Sequence, residues 1–149
     1  MEVYLASDHA GFSAKKELIT FLLEKGYDVK DFGAFEYNPQ DDYPDFIAPL
    51  AKAISHKSDV FGFIFGGSGQ GEAIVANRFA NVRAAVLACE NKQLVTLARE
   101  HNNANVLSFG ARFLSVEFIK QAAILFLETD FSHAPRHTRR IEKIDNLDL

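Results

Sequence analysis

The sequence predicts a doubly wound α/β domain, with about five parallel strands, helices on both faces and a C-terminal helical tail. Three observations lead there. Short apolar runs alternate with segments of helical period along the whole chain, as expected of strands joined by crossover helices. A length of 149 residues suits one domain and leaves two below ordinary size. Apolar residues make up 48% of the chain and charged residues 24%, a globular rather than disordered composition.

Val3-Tyr4-Leu5-Ala6 reads as a buried strand closed by the polar turn Ser7-Asp8-His9-Ala10-Gly11. A helix follows from about Ser13, with Leu18, Ile19, Leu22 and Leu23 on one face and Gly26 beyond its end. Tyr27 to Phe32 is the second strand, and Gly33 to Tyr43 a polar loop. Pro44 suits the first turn of a helix ending near Ser55. Val60 to Phe65, the most apolar strand, runs into Gly66-Gly67-Ser68-Gly69-Gln70-Gly71-Glu72, and a helix begins at about Glu72. Ala84 to Ala88, Asn91 to His101 and Val106 to Phe109 read as strand, helix and strand. Val116 to Leu127 is an amphipathic helix. From Asp130 the tail is polar, with Ile141, Ile144 and Leu147 spaced to dock a short helix. Residues 1–149 thus form a single Rossmann-like domain without repeat or linker.

In such sheets ligands bind beyond the carboxyl ends of the strands. The turns after the first, third and fifth strands should therefore converge: Ser7-Asp8-His9, the glycine loop, and Gly110-Ala111-Arg112. The loop holds Gly66, Gly67, Gly69 and Gly71 between a strand and a helix. A tight turn needs one or two glycines; a run this dense favours a backbone that offers several N–H groups to an anion. No dinucleotide fingerprint threads through it. It matches the first half of a P-loop, but Glu72 stands where that motif needs lysine and would repel a nucleoside triphosphate. Glu72 has two readings: a favourable first-turn residue, or a base whose neighbouring amides hold the oxyanion formed when a carbon beside a carbonyl is deprotonated.

Composition narrows the partners. The net charge is −4, so no overall basic field attracts nucleic acid or anionic lipid. Residues 1–77 carry 6 basic and 12 acidic side chains, residues 78–149 carry 10 and 8, and every arginine lies in the second set. Guanidinium forks bind phosphate or carboxylate, which suggests a small anionic ligand. The single cysteine, Cys89, excludes an internal disulfide or thiolate cage, and is expected at a strand end as a buried thiol. The longest aliphatic and aromatic run, Ala122 to Leu127, is far short of a bilayer span, and the first residues lack the features of a signal peptide. A soluble cytoplasmic protein is the expectation. The Asp41-Asp42-Asp45 cluster reads as a solvated loop before a helix rather than a metal site, with residues 42–45 setting Tyr43.

Six motifs in order resemble one family. They are Ser7-Asp8-His9-Ala10-Gly11, Asp42-Tyr43-Pro44, Gly66-Gly67-Ser68-Gly69-Gln70-Gly71-Glu72, Ala76-Asn77, Arg99-Glu100-His101-Asn102-Asn103 and Arg136-His137-Thr138-Arg139-Arg140. Together they resemble type B ribose-5-phosphate isomerases, within the ribose/galactose family of sugar-phosphate aldose–ketose isomerases, over nearly the whole chain.

The resemblance implies a proton moved between C2 and C1 through a cis-enediolate, without metal or cofactor. One branch of the family uses a cysteine at the start of the glycine loop, where this chain has Gly66. The other uses the glutamate that closes the loop, which makes Glu72 the expected base. The resemblance further assigns the enediolate oxygens to the amides of Gly67, Ser68, Gly69 and Gly71, with the Ser68 hydroxyl assisting, and Gln70 belongs to the same substrate-binding set. Ring opening falls to His101, with Asp8 and Tyr43 near the ring oxygen. Asn102 is implied as a sugar-hydroxyl ligand, and His9, Arg112, Arg136 and Arg140 as phosphate ligands. His137 is expected to reach the opened sugar. The resemblance implies a homodimer, with tetramers open, in which the tail at 130–149 reaches a neighbouring subunit's glycine loop. Three rivals remain: isomerisation of a hexose 6-phosphate of allose or galactose type, a non-catalytic phosphosugar-binding domain, and a nucleotide-binding module disfavoured by Glu72.

Overall fold

Alternating apolar side chains on a strand point to opposite faces, so a strand covered on both sides needs both sets buried. The first strand, β1 (Glu2–Ser7), meets that condition from Val3 onward. The computed structural model describes residues 1–147, and the last two positions of the expected tail lie outside the described residues. After β1 come a 3₁₀ turn (His9–Gly11), α1 (Phe12–Glu24), β2 (Asp28–Asp31), α2 (Pro44–Ser55) and β3 (Val60–Gly66). They are followed by α3 (Gln70–Ala76), β4 (Ala84–Leu87), α4 (Lys92–Asn102), β5 (Val106–Gly110), α5 (Val116–Glu128) and α6 (Pro135–Asp145). The expected order of elements is observed throughout.

The five strands form one all-parallel sheet in the order β2-β1-β3-β5-β4. Two cores flank it. On one face Leu5, Phe63, Phe65 and Phe109 pack against Leu18, Leu22, Phe118 and Phe126 from α1 and α5, with Val95 from α4. On the other, Tyr4, Ile64 and Val106 meet Ile47, Leu50 and Ile54 of α2 and Ala76 of α3. Each fully buried Val, Leu, Ile or Phe side chain among them contributes roughly 1.5–3 kcal/mol. The sheet is thus doubly wound, as the sequence predicts.

Local chemistry explains the boundaries. Gly26, at φ +88°, takes the left-handed position just past α1. Asn91 and Ser115 cap α4 and α5 by accepting the amides of Gln93 and Phe118. α3 starts two residues earlier than expected, because Gly69 at φ +74° provides its N-cap and Glu72 falls inside the first turn. Lys15 is fully buried in α1, where its ammonium donates to Asp31 and to the Ala34 carbonyl, both at 2.7 Å. No helix among the described residues is long and apolar enough to cross a membrane.

The chain leaves β1 and β3, neighbours in the sheet, toward opposite faces: α1 packs on one and α3 on the other. A crevice opens at such a switch point, beyond the carboxyl ends of the two strands. The rule places it between the Ser7-Asp8-His9 turn and the glycine loop.

Candidate active site

The turn after β1 is held by its own acid. Asp8 caps the 3₁₀ turn, its Oδ1 accepting the Ala10 amide at 2.9 Å and the Gly11 amide at 3.3 Å. The other oxygen, Asp8 Oδ2, lies 4.0 Å from His9 Nδ1. Gly11 packs directly on Phe65 of β3, so close that any side chain there would strike it; this locks the turn beside the glycine loop. His9 follows, with its ring against Asp41 from the loop after β2.

The glycine loop is built from close approaches. A Cβ at Gly66 would overlap the carboxyl group of Glu72, so the strand's last residue and the helix's first turn share one small space. A Cβ at Gly71 would come within 2.6 Å of the Tyr43 ring, which places the N-cap residue of α2 over the loop. Ser108 Oγ donates to the Gly69 carbonyl at 2.6 Å and fixes the left-handed residue. From the turn after β5, Ala111 N–H donates to Gly66 O at 2.8 Å and Arg112 N–H to Gly67 O at 3.2 Å. The Arg112 guanidinium lies against Gly67, where a Cβ would stand 2.9 Å from Nη1. The three turns converge as expected. Among the described residues, the amides of Gly67, Ser68 and Gly69 donate to no turn or loop carbonyl.

Glu72 is buried, at 4% exposure. Burial raises its pKa above the usual carboxylate value of 4.5, and the negative field of Asp8 pushes the same way against its own helix-start amide. A carboxylate that holds its proton more strongly than a free glutamate is a better base at the operating pH. Beside it stand the peptide N–H groups of Gly67, Ser68 and Gly69, which have no turn or loop carbonyl partner among the described residues. The pair suits removal of a proton from carbon next to a carbonyl, with the oxyanion received by the loop.

A second cluster lies elsewhere. α4 runs from the end of β4 back to the start of β5, so its last turn sits at the amino-terminal edge of the sheet. There Asn103 O accepts from Arg83 Nε at 3.0 Å, and Met1, Asp59, Arg83, Asn103 and Asn105 line one cleft. His101, in that last turn, faces His137 of α6 with ring centroids 4.2 Å apart. His137 is buried, and its Nδ1 lies 2.7 Å from Ser132 Oγ. Its pKa falls below 6.5 through burial and then through His101, Arg136 and Arg140, with the Glu100 carbonyl opposing. Arg136 and Arg140, four apart on α6, are both exposed, as is Asn102. Strands of five to seven residues at about 3.3 Å each separate the two edges by about 17–23 Å.

The model of one protein family, described as Ribose/Galactose Isomerase, matches residues 3–144. The chain belongs to the ribose/galactose isomerase family. Within it, ribose-5-phosphate isomerase B of Mycolicibacterium paratuberculosis is 42% identical over 95% of this chain and 88% of its own length. The protein of that name from Escherichia coli is 34% identical over 96% and 93%. Among solved structures, ribose-5-phosphate isomerase B from Mycoplasma genitalium with bound ribulose-5-phosphate gives a TM-score of 0.91 at 36% identity. It covers 97% of this chain and 93% of that one. The Thermotoga maritima protein gives 0.90 at 38% identity and 98% coverage of both.

Against the residues expected from the family resemblance, one chain brings together Asp8, His9, Tyr43, Gly67, Ser68, Gly69, Gly71, Glu72 and Arg112. It does not bring His101, Asn102, Arg136, His137 or Arg140 to them. Placing His101 near Asp8 and Tyr43 fails within a single chain, because a crossover helix must end at the opposite edge from the loops after the strands. Gln70 is also displaced from the expected group. It is exposed at the start of α3 and shares a surface with Ile74 and Val86, while Glu72, about 200° round the helix, points inward. The tail helix is longer than expected and meets α4 through His137, leaving Ile144 and Leu147 exposed. Cys89 is exposed just past β4, not buried, because that strand is the sheet edge. Asp41 is the residue missed: its partner His9 is 32 positions away, a separation no local motif reports.

Proposed function

We propose that the chain interconverts ribose 5-phosphate and ribulose 5-phosphate by enolisation, with Glu72 as the base and no metal. The observation that carries this reading is the buried Glu72 carboxyl group standing over Gly66 beside free loop amides. Relatives sharing over a third of their residues with this chain are named ribose-5-phosphate isomerase B, and one of that name binds ribulose-5-phosphate.

In the open-chain aldose, Glu72 takes the C2 proton. The released electron pair forms the C1=C2 bond of a cis-enediolate, and the charge on O1 is received by the amides of Gly67, Ser68 and Gly69. The same carboxyl group returns its proton to C1 while the O2 proton passes to O1, which leaves the ketose. Base and oxyanion donors together do what a Lewis-acid metal does elsewhere. Asp8, whose Oδ2 accepts no hydrogen bond among the described residues, takes part in ring opening, and His9 and Arg112 hold the phosphate.

His101, Asn102, Arg136, His137 and Arg140 then act on the site of a neighbouring subunit. Exposed Ile74 and Val86 near the β4 edge supply apolar surface for such a homodimer. A cytoplasmic location goes with this reading.

A coupled isomerase assay tests it, with ribose 5-phosphate against allose and galactose 6-phosphates, run with and without chelator. Turnover of the pentose phosphate that survives chelation is expected. Absence of turnover with all three sugars rejects the isomerase, and a preference for a hexose phosphate rejects the substrate.

A further inference from the structure

Of the three acids in the Asp41-Asp42-Asp45 cluster, only Asp41 turns inward. Its side chain is 7% exposed, whereas Asp42 and Asp45 face solvent. The turn at Asn38 aims it: Asn38 Oδ1 accepts the Gln40 amide at 3.0 Å and Asn38 O accepts the Asp41 amide at 3.2 Å. Asp41 Oδ1 then accepts twice from His9, from the backbone N–H at 3.0 Å and from Nδ1 at 2.6 Å. An ionised carboxylate has only acceptors, so Nδ1 carries the proton. Nε2 is left as the ring nitrogen open to a ligand, with no protein partner among the described residues. Tyr37 flanks the imidazole edge-on at 6.4 Å.

We propose that Asp41 is a positioning residue: it orients His9 so that Nε2 meets the phosphate of the sugar. The proposal rests on the reading of His9 as a phosphate ligand. Asp41 acts through two bonds that fix both the backbone and the ring of one residue, and such a pair removes the rotation that a partly exposed imidazole otherwise keeps. When Nε2 donates to phosphate the ring is a donor at both nitrogens, and the Asp41 carboxylate balances its charge. The same loop carries Tyr43 to Gly71 two residues later, so a purely structural role for Asp41 would be felt at the reacting carbons instead.

The two roles separate in kinetics. Asp41→Asn keeps an oxygen for the His9 amide but loses the charge. The KM for ribose 5-phosphate and the inhibition constant of inorganic phosphate should rise together by about tenfold, with kcat changed less than about threefold. In a His9→Ala background the same substitution should add nothing, since its partner has gone. In the unaltered protein, the His9 ring ¹⁵N resonances should show Nδ1 protonated and Nε2 responding to inorganic phosphate. A loss confined to kcat, an additive double variant, or a response at Nδ1 alone would each overturn the proposal. So would phosphate binding that tightens with magnesium or zinc and relaxes with chelator, which would assign Asp8, His9 and Asp41 to a cation. Phosphate binding is measured without turnover: a protein that binds it through His9 yet isomerises nothing refutes the isomerase reading, not the role of Asp41.

Discussion

The carboxyl group of Glu72 occupies the space that a side chain at Gly66 would need. Six positions apart in sequence, the two meet because β3 ends at Gly66 and the chain turns at once into α3. The glycine is therefore a requirement of where the Glu72 carboxyl group sits rather than of loop flexibility. A residue with any side chain at 66 and a glutamate at 72 compete for one volume.

Gly66→Ala should cut kcat by about 10²–10⁴-fold while the fold is kept, because the added methyl drives the carboxyl group off the reacting carbon. Steady-state kinetics with circular dichroism as control checks this. Activity within a few fold of the parent would mean that Glu72 is not the base.

Glu72→Gln should lose about 10²–10⁴-fold in kcat as well, yet gain thermal stability at neutral pH. The sign follows from the raised pKa. Between 4.5, the ordinary glutamate value, and its higher folded value, the native state holds the extra proton, so the group's stabilising effect is present below that window and lost as pH rises through it. The variant's advantage should thus vanish in acid below 4.5. On the activity side, the acid limb of the kcat profile should begin above the range of a free carboxylate. Thermal melts from pH 4 to 8 beside a pH–rate profile test both.

Mixing Glu72→Gln with Arg136→Ala, each nearly inactive alone, should restore partial activity. On the proposed shared site, a mixed dimer would hold one site with Glu72 intact and Arg136 donated by the other chain. Recovery above the sum of the two parents measures it, and none is expected if each chain completes its own site.

The His101–His137 contact should loosen in acid. His137 is held below its ordinary pKa of 6.5, so the unfolded or undocked tail binds the proton first, and the stability it lends α6 is lost as pH falls through its folded value. Amide exchange in α6 should accelerate below pH 6.5 relative to α5. His137→Gln, which cannot charge, should remove the difference.

The order of elements, the parallel sheet and the convergence of three turns were legible because each depends on neighbours in the chain. Apolar runs, Pro44, Gly26 and the glycine loop act within a few residues. Glu72 was legible for the same reason. Other features depend on contacts that no local pattern records. Asp41 looked solvated because its partner lies on a different turn. Cys89 looked buried because a strand pattern does not state whether the strand is central or at the edge.

The sequence alone therefore determined the fold class, the crevice after β1 and β3 and the acid within it, since backbone propensity and short-range packing set these. Tertiary structure alone decided which of the expected side chains fall outside that crevice. Winding each crossover helix back across the sheet sends His101 and the arginine-bearing tail to the edge opposite Glu72. A chain of this topology cannot close that distance within itself without unfolding the helix that spans it.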